Sequence, residues 1–382
     1  MIGSPGRALH EIAAGRIRGA AGAVLALSRR IHAHPETAFD EHAAAAWCVE
    51  ELERHGVPGH TGAFGLPTAF VAEAGHGPCV VAICCEYDAL PGIGHACGHN
   101  IIAAAGVGAA IGLAAVADAA GLTVRVLGTP AEESGGGKVM LLERGAFDGV
   151  DGALMAHPGC LDGGWFRSYA RSTLSFTYTG RAAHASAAPH HARSAADALT
   201  LAQVGVGLLC QHLPPTARIH GAPSHSGDGV PNVVPAASGG TYQVRAADAA
   251  GLRELTSRVT DCLRAAALAT GCEVEIGRPE PDYLEFAAHP ALAARADAHL
   301  RALGRRPVPI APAASTDMGN VSHAVPSLHL VIDVGAGRIY PHQPEFAGHC
   351  VTPAADRAVI DAAVCLAWTA IDLAVTSRPP EG

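Results

Sequence analysis

Aromatic side chains are scarce in this chain: Phe, Trp and Tyr make up 4% of its 382 residues, although 49% are apolar. The apolar content is mostly Ala, Val and Leu, which suggests many small-residue helices rather than an all-β sandwich. A basic stripe is also missing. With a formal net charge of -9 and no clustered Lys and Arg, the sequence offers little to nucleic acid or an anionic membrane. No CxxC pair occurs among the eleven cysteines. Their odd number and irregular spacing argue against a disulfide framework and for reduced thiols in a cytoplasmic protein. The N-terminal stretch MIGSPGRALHEIAAGRIRGAAG carries charge throughout and lacks the apolar segment of a signal peptide, so none is expected. Charge is absent from Ile101 to Ala117, but that run is Ala/Gly-rich rather than Leu-rich and stops at Asp118. A buried helix is expected there, not a membrane span. Internal repeats are absent, and so is any low-complexity linker beyond the Pro/Gly-rich turn Gly277–Pro281.

What is present has length enough for about two domains. Helical periodicity runs from about Leu9 to His34 and again over Asp40–His55. Strand and helix patterns then alternate: Cys79–Cys85 as strand, Asn100–Ala120 as helix, Thr123–Gly128 as strand, Gly137–Gly145 as helix and Gly152–Ala156 as strand. Such alternation implies a parallel sheet covered on both faces. From Arg171 the texture changes. STLSFTYTG reads as a half-exposed strand, Ala192–Gln211 as a helix and the segments around PNVVP and GGTYQVRAA as a strand pair. Leu252–Thr270 follows as a helix and CEVEIG as a strand. This βαββαβ order is that of a ferredoxin-like module inserted into the larger domain. The chain thus divides into residues 1–168, an insert over 169–280, and 281–382, where SLHLVIDVG resumes the sheet and Pro353–Ser377 closes as a helix.

One stretch, CEYDALPGIGHACGHN from Cys85 to Asn100, adds two acids, the Cys97 thiol and two imidazoles just after a strand that ends at Cys85. The next strand is followed by Thr129-Pro130-Ala131-Glu132-Glu133, the third ends at His157, and the loop after Val331–Val334 carries His342. In open parallel sheets ligands bind at the carboxyl ends of the strands. Four strand ends therefore deliver Cys97, His99, Glu132, Glu133, His157 and His342 to one edge. Thiolate, imidazole and carboxylate together suit zinc, or manganese, cobalt or nickel. Neighbouring side chains in extended backbone diverge, so one of Glu132 and Glu133 can bind metal while the other serves as general base. A cysteine nucleophile paired with His95 or His99 would leave the glutamates and His157 unexplained.

At these residues the sequence resembles the metallopeptidase family of aminoacylases, carboxypeptidase G and dipeptidases. The likeness is greatest to its amidohydrolase branch of hippurate, auxin-conjugate and aminobenzoyl-glutamate hydrolases and the β-alanyl-lysine dipeptidase type. IHAHPETAFDEHAAAAWCVEELERHG resembles the branch's N-terminal signature. DALPGIGHACGHN and TPAEESGGGKVMLLERGAFDGVDGALMAHP resemble its metal motifs. TGRAAHASAAP, PNVVP and TYQVRA match its lid, and STDMGNVS and PHQPEF its C-terminal segments. The resemblance implies a zinc-exopeptidase-like α/β fold, a mixed sheet covered by helices, with the ferredoxin-like insert as lid and dimerisation domain.

The same resemblance implies two divalent metal ions (Zn, Mn, Co or Ni) on Cys97, His99, Glu133, His157 and His342, with Glu132 as general base. It gives Asp88 an orienting role behind the metals and His184 the polarisation of the scissile carbonyl from a partner subunit. Asn232 and Arg245 become substrate contacts, the arginine suiting a carboxylate. Asn100 stands where hippurate-type relatives have Asp, and Gln343 where relatives often carry Thr. The first departure, with EYDALPG and STDMGNVS, points to the aminobenzoyl-glutamate and β-alanyl-lysine subgroup. The implied function is a homodimeric, metal-dependent amidohydrolase cleaving N-acyl amino acids or unusual dipeptides, with no nucleic-acid or membrane partner. A hippurate-type aminoacylase and a catalytically silent metal-binding scaffold are the rival readings.

Overall fold

The computed structural model describes residues 4–227, 229–312 and 314–377. Described residues up to Arg167 and from Phe286 onward form one unit, and Ser168–Glu285 form a second. The larger unit starts with three helices, α1 (Ser4–Gly19), α2 (Ala21–Ala33) and α3 (His42–Arg54), and two short strands, β1 (Gly59–Thr61) and β2 (Phe70–Ala74). The alternating part follows as β3 (Cys79–Cys85), α4 (His99–Ala114), α5 (Ala117–Ala120), β4 (Leu122–Gly128), α6 (Gly137–Glu143) and β5 (Gly152–Gly159). The smaller unit contains β6 (Ala170–Thr179), α7 (Ala195–Cys210), β7 (Arg218–Ser226), β8 (Ala237–Ala246), α8 (Ala249–Thr270) and β9 (Glu273–Gly277). The chain then completes the larger unit with α9 (Pro290–Ala302), α10 (Met318–Ala324), β10 (Ser327–Asp333), α11 (Pro344–His349) and α12 (Pro353–Ser377).

The larger unit's sheet has the order β1-β2-β4-β3-β5-β10. The strands β4, β3, β5 and β10 pair in parallel, whereas β2 runs antiparallel to β4 and β1 antiparallel to β2. The sheet is therefore mixed, as the resemblance implied, with a parallel centre where strand and helix patterns alternate. GHT and FVAEA add an antiparallel edge whose strands are too short and too exposed to stand out as apolar runs. The sequence from β3 to β4 moves to one side and β5 returns to the other flank of β3. That reversal opens the crevice at the strand carboxyl ends.

Helix α4 fills the centre of this unit. Every residue from His99 to Leu113 is buried, as expected of the uncharged run. Small residues are what allow it: a Cβ on Gly106 would lie 2.4 Å from Cys85 Sγ on β3. Each of its buried Ile, Val and Leu side chains contributes about 1.5–3 kcal/mol relative to exposure. One helix was expected as far as Ala120, but α4 stops at Ala114 and α5 ends at Gly121, which is left-handed (φ 71°). The stretch Pro353–Thr376 of α12 is apolar and long enough to cross a membrane, yet 72% of its apolar window is buried within the fold. It is a core helix packed on α4, α1 and α9.

In the smaller unit the sheet order is β7-β8-β6-β9 with every pairing antiparallel. Leu174, Phe176, Tyr178, Tyr242 and Val244 form one core with the inner faces of α7 and α8. Order and pairing together give the ferredoxin-like arrangement. The turn after β9 stays with this unit because Arg171 and Tyr283 exchange backbone hydrogen bonds and the Arg171 guanidinium lies 4.0 Å over the Tyr283 ring.

Candidate active site

The four parallel strands of the larger unit each end beside a candidate residue. After β3 the chain reaches Cys97 and turns into α4 through Gly98, which is left-handed (φ 81°). A Cβ there would sit 2.5 Å from Pro158 Cγ and 3.1 Å from Cys350 Sγ, so only glycine fits between Cys97 and His99. After β4 the chain bends at Ala131 (φ 57°), and the Ala131 N–H donates to the buried Glu41 Oε1 at 2.9 Å. His157 lies near the end of β5. Beyond β10, His342 is also left-handed (φ 72°), and its N–H donates to Ala96 O at 2.9 Å. Two non-glycine residues with positive φ at one site are backbone strain held by the surrounding structure.

These bends converge six side chains. Cys97, His99 and His157 form one set of donor atoms within 4.8 Å of one another, and Cys97, Glu133 and His342 form another. The two sets share Cys97. Its Sγ is 3.5 Å from His157 Nε2, while Glu133 Oε1 is 3.2 Å from His342 Nε2. Glu132 stands alongside, its Oε2 3.9 Å from His99 Nε2, within a third set with Glu86 and His99.

The donors are aimed by their outer partners. Asp88 Oδ1 is 2.9 Å from His99 Nδ1, and Asp88 Oδ2 accepts the Glu133 N–H at 3.0 Å. His157 Nδ1 donates to Pro158 O at 2.7 Å. Both contacts leave Nε2 as the inward lone pair, the arrangement that orients metal-binding histidines. His99 Nε2 and Glu133 Oε1 are buried and make no hydrogen bond. A divalent cation would satisfy both, so the residues present fit a metal.

Electrostatics separates the two glutamates. Burial, then the Glu86 and Glu133 charges, pushes Glu132 well above the ordinary carboxylate range. Burial pushes Glu133 up too, but the imidazoles of His342 and His99 reverse this and bring it to about 2. Burial would lower His99, yet Asp88, Glu86 and Glu133 hold it well above the ordinary histidine range. The Cys97 thiol is pushed up by burial and by both glutamates. A cation among these groups reverses that pressure on the thiol.

Sequence reasoning missed the charges behind the site. Lys138 Nζ lies 2.5 Å from Glu86 Oε1 and 2.7 Å from Asp317 Oδ1, all three fully buried. Glu86 and Asp317 sit in the quoted motifs EYDALPG and STDMGNVS, but nothing local marks Lys138 as their partner. The two departures now have causes. Asn100 Nδ2 donates to Ser28 Oγ at 2.9 Å and Cys350 O at 3.3 Å, bonds that an aspartate could not donate. Gln343 Oε1 accepts the Tyr340 N–H, holding the turn before α11.

Three further candidates lie in the smaller unit. His184 and Val233 form an isolated bridge, and the Ala185 N–H donates to Asn232 O at 2.9 Å, so His184 and Asn232 are neighbours. Backbone N–H groups of Ser186 and Ala187 donate to His184 Nδ1 at 3.3 and 3.2 Å, which leaves the proton of the neutral ring on Nε2. Arg245 lies opposite Arg171 and Arg218 on the flanking strands. Burial and the Arg171 charge lower its pKa.

The description Peptidase family M20/M25/M40 matches residues 82–359. The chain belongs to this family. It is 39% identical to the Xaa-Arg dipeptidase of Mus musculus over 96% of its own length and 89% of that protein's. It is 36% identical to a p-aminobenzoyl-glutamate hydrolase subunit of Escherichia coli over 65% of its own length and 56% of that relative's. Its fold matches a dinuclear metal binding peptidase of Bacillus subtilis from the M20 family, with a TM-score of 0.65 and 20% identity, covering 91% of this chain and 99% of that one. As a member of the M20/M25/M40 family, the chain is a metal-dependent hydrolase of amide bonds in small molecules.

Proposed function

We propose that this hydrolase cleaves the amide of a dipeptide or N-acyl amino acid, of the aminobenzoyl-glutamate or β-alanyl dipeptide type, with a free carboxylate on the leaving residue. The observation that carries the proposal is the pair of donor sets sharing Cys97, with Glu132 beside them. Cys97, His99, Glu133, His157 and His342 would hold the two ions, each zinc, manganese, cobalt or nickel. Bound there, the ions supply Lewis acidity toward the scissile carbonyl and lower the pKa of water to about 7. Glu132 takes the proton from the attacking water and delivers it to the leaving amine. Asp88 keeps His99 Nε2 turned inward. His184 donates its Nε2 proton to the developing oxyanion, and Asn232 and Arg245 hold the substrate, the arginine by its carboxylate.

The proposal includes a homodimer through the smaller unit, with His184 serving the partner's site. Supporting it, α7 exposes Leu201, Val204 and Leu208 at 44%, 53% and 57%, a stripe at helical spacing that a second copy would cover. The eleven free thiols fit a reducing, cytoplasmic setting. Co-expressing Glu132→Ala with His184→Ala chains tests the trans arrangement. About a quarter of full activity returns if His184 crosses to the partner, and none if it serves its own chain.

The test of substrate class is metal analysis followed by hydrolysis of Xaa-Arg dipeptides, β-alanyl dipeptides, aminobenzoyl-glutamate and hippurate. Cleavage of the first three in preference to hippurate supports the proposal. Preference for hippurate makes the protein a hippurate-type aminoacylase. No cleavage by fully metal-loaded protein leaves it a silent scaffold.

A further inference from the structure

Outside the catalytic centre, three side chains far apart in sequence meet where α1, α9 and α12 adjoin. His10 Nε2 lies 2.8 Å from Asp372 Oδ1, and His299 Nε2 lies 3.0 Å from Asp372 Oδ2. His10, His299 and Asp372 are 8%, 7% and 5% exposed. One donor atom from each lies within 4.8 Å of the others. None of the three helices carries a residue assigned above to metal, base or substrate.

Hydrogen bonding explains only half of this cluster. His299 Nε2 and Asp372 Oδ2 are hydrogen-bonded at 3.0 Å. His10 Nε2 and Asp372 Oδ1 are buried and make no hydrogen bond despite their 2.8 Å separation. Leaving both unmatched in the interior is unfavourable. A cation beside them would satisfy both. An ion about 2.1 Å from nitrogen and oxygen atoms spaced this way subtends angles of about 85–90°, which suits five- or six-coordination. Two imidazoles with one carboxylate favour a borderline first-row ion over magnesium or calcium. The carboxylate is ready for one: burial pushes Asp372 up, but the two histidines bring it to about 2. Trp368 fixes the His10 ring, stacking on it at 5.3 Å and donating its Nε1–H to His10 O at 2.9 Å.

We propose that His10, His299 and Asp372 form a structural site for one first-row divalent ion, separate from the catalytic centre, that ties α1 and α9 to α12. It takes no part in hydrolysis, because no described pocket opens onto it and its ligands are buried.

The test is zinc content per chain, by plasma mass spectrometry, after loading and desalting the full-length protein. Asp372→Asn, which keeps the side-chain shape, should lose one zinc ion per chain. A chain with His99→Ala, His157→Ala and His342→Ala should retain one, and should lose it when Asp372→Asn is added. A second measurement leaves the triad intact. Cobalt(II) titrated into that triple variant, with Trp47→Phe and Trp165→Phe leaving Trp368 as the sole tryptophan, should quench its fluorescence and saturate at one equivalent. Equal zinc in wild type and Asp372→Asn would overturn the proposal. So would a triple variant that binds no zinc and shows no quenching.

Discussion

The two units hold their functional candidates in opposite ways. In the larger unit Asp88, Cys97, His99 and Glu132 are at most 7% exposed, with the buried Asp88 aiming His99, and among the six converging side chains only His342 is exposed. In the smaller unit His184 and Asn232 are exposed, and the His184 ring is held only by local contacts with the Ser186 and Ala187 N–H groups and the Ser186 hydroxyl among the described residues. The first arrangement is preorganised: its donors stand in place before substrate arrives and lack only the cation they fit. The second gains its value only when substrate or another subunit covers it. Metal affinity should therefore answer to the larger unit, and recognition to the smaller.

Substitutions can break that contrast, and the largest effect should come from Glu132. Glu132→Ala should lower turnover roughly a hundred- to ten-thousand-fold with both ions retained, whereas Glu133→Ala should lose metal. Turnover and metal content measured together check this, and exchanged phenotypes would exchange the two roles. Lys138→Met removes the cation that the fully buried Glu86 and Asp317 share. It should cost about 3–5 kcal/mol in urea denaturation. A value near zero would mean that the buried acids find another partner or a proton at no penalty.

Glu41 gives a smaller effect with a definite sign. Burial, then Asp88, raises its carboxyl to about 7 in the folded protein, from 4.5. A raised folded pKa means stability is fully present below pH 4.5 and is lost as pH rises through 7. In metal-free protein Glu41→Gln should abolish this loss, so the variant should gain on wild type between pH 4.5 and 7 by up to about 3 kcal/mol. A gap that does not change with pH would contradict the assignment. Arg245→Ala should be milder still. It should raise KM for free-carboxylate substrates about tenfold, or about 1.4 kcal/mol, and leave carboxyl-amidated analogues nearly unchanged.

Much of the larger unit was legible because its signals are local. The apolar run of β3, the uncharged run of α4 and donors after successive strands each show in a short window, and the structure brings all six donors together. The edge strands β1 and β2 were not legible, since three and five half-exposed residues carry no periodicity. The outer charges were hidden for a different reason. Glu41 meets Ala131 across 90 positions, and Lys138 meets Asp317 across 179, so only the folded chain joins them. Asn100 and Gln343 stand out as departures from hippurate-type and other relatives, and the folded chain gives both a part in local architecture.

The contrast between the units is tested most directly by His184→Ala, measuring bound metal and turnover on the same preparation. A preorganised centre in the larger unit predicts two ions per chain, as in wild type, with turnover lowered about a hundred- to a thousand-fold. Loss of metal from this variant, or undiminished turnover, would contradict the account.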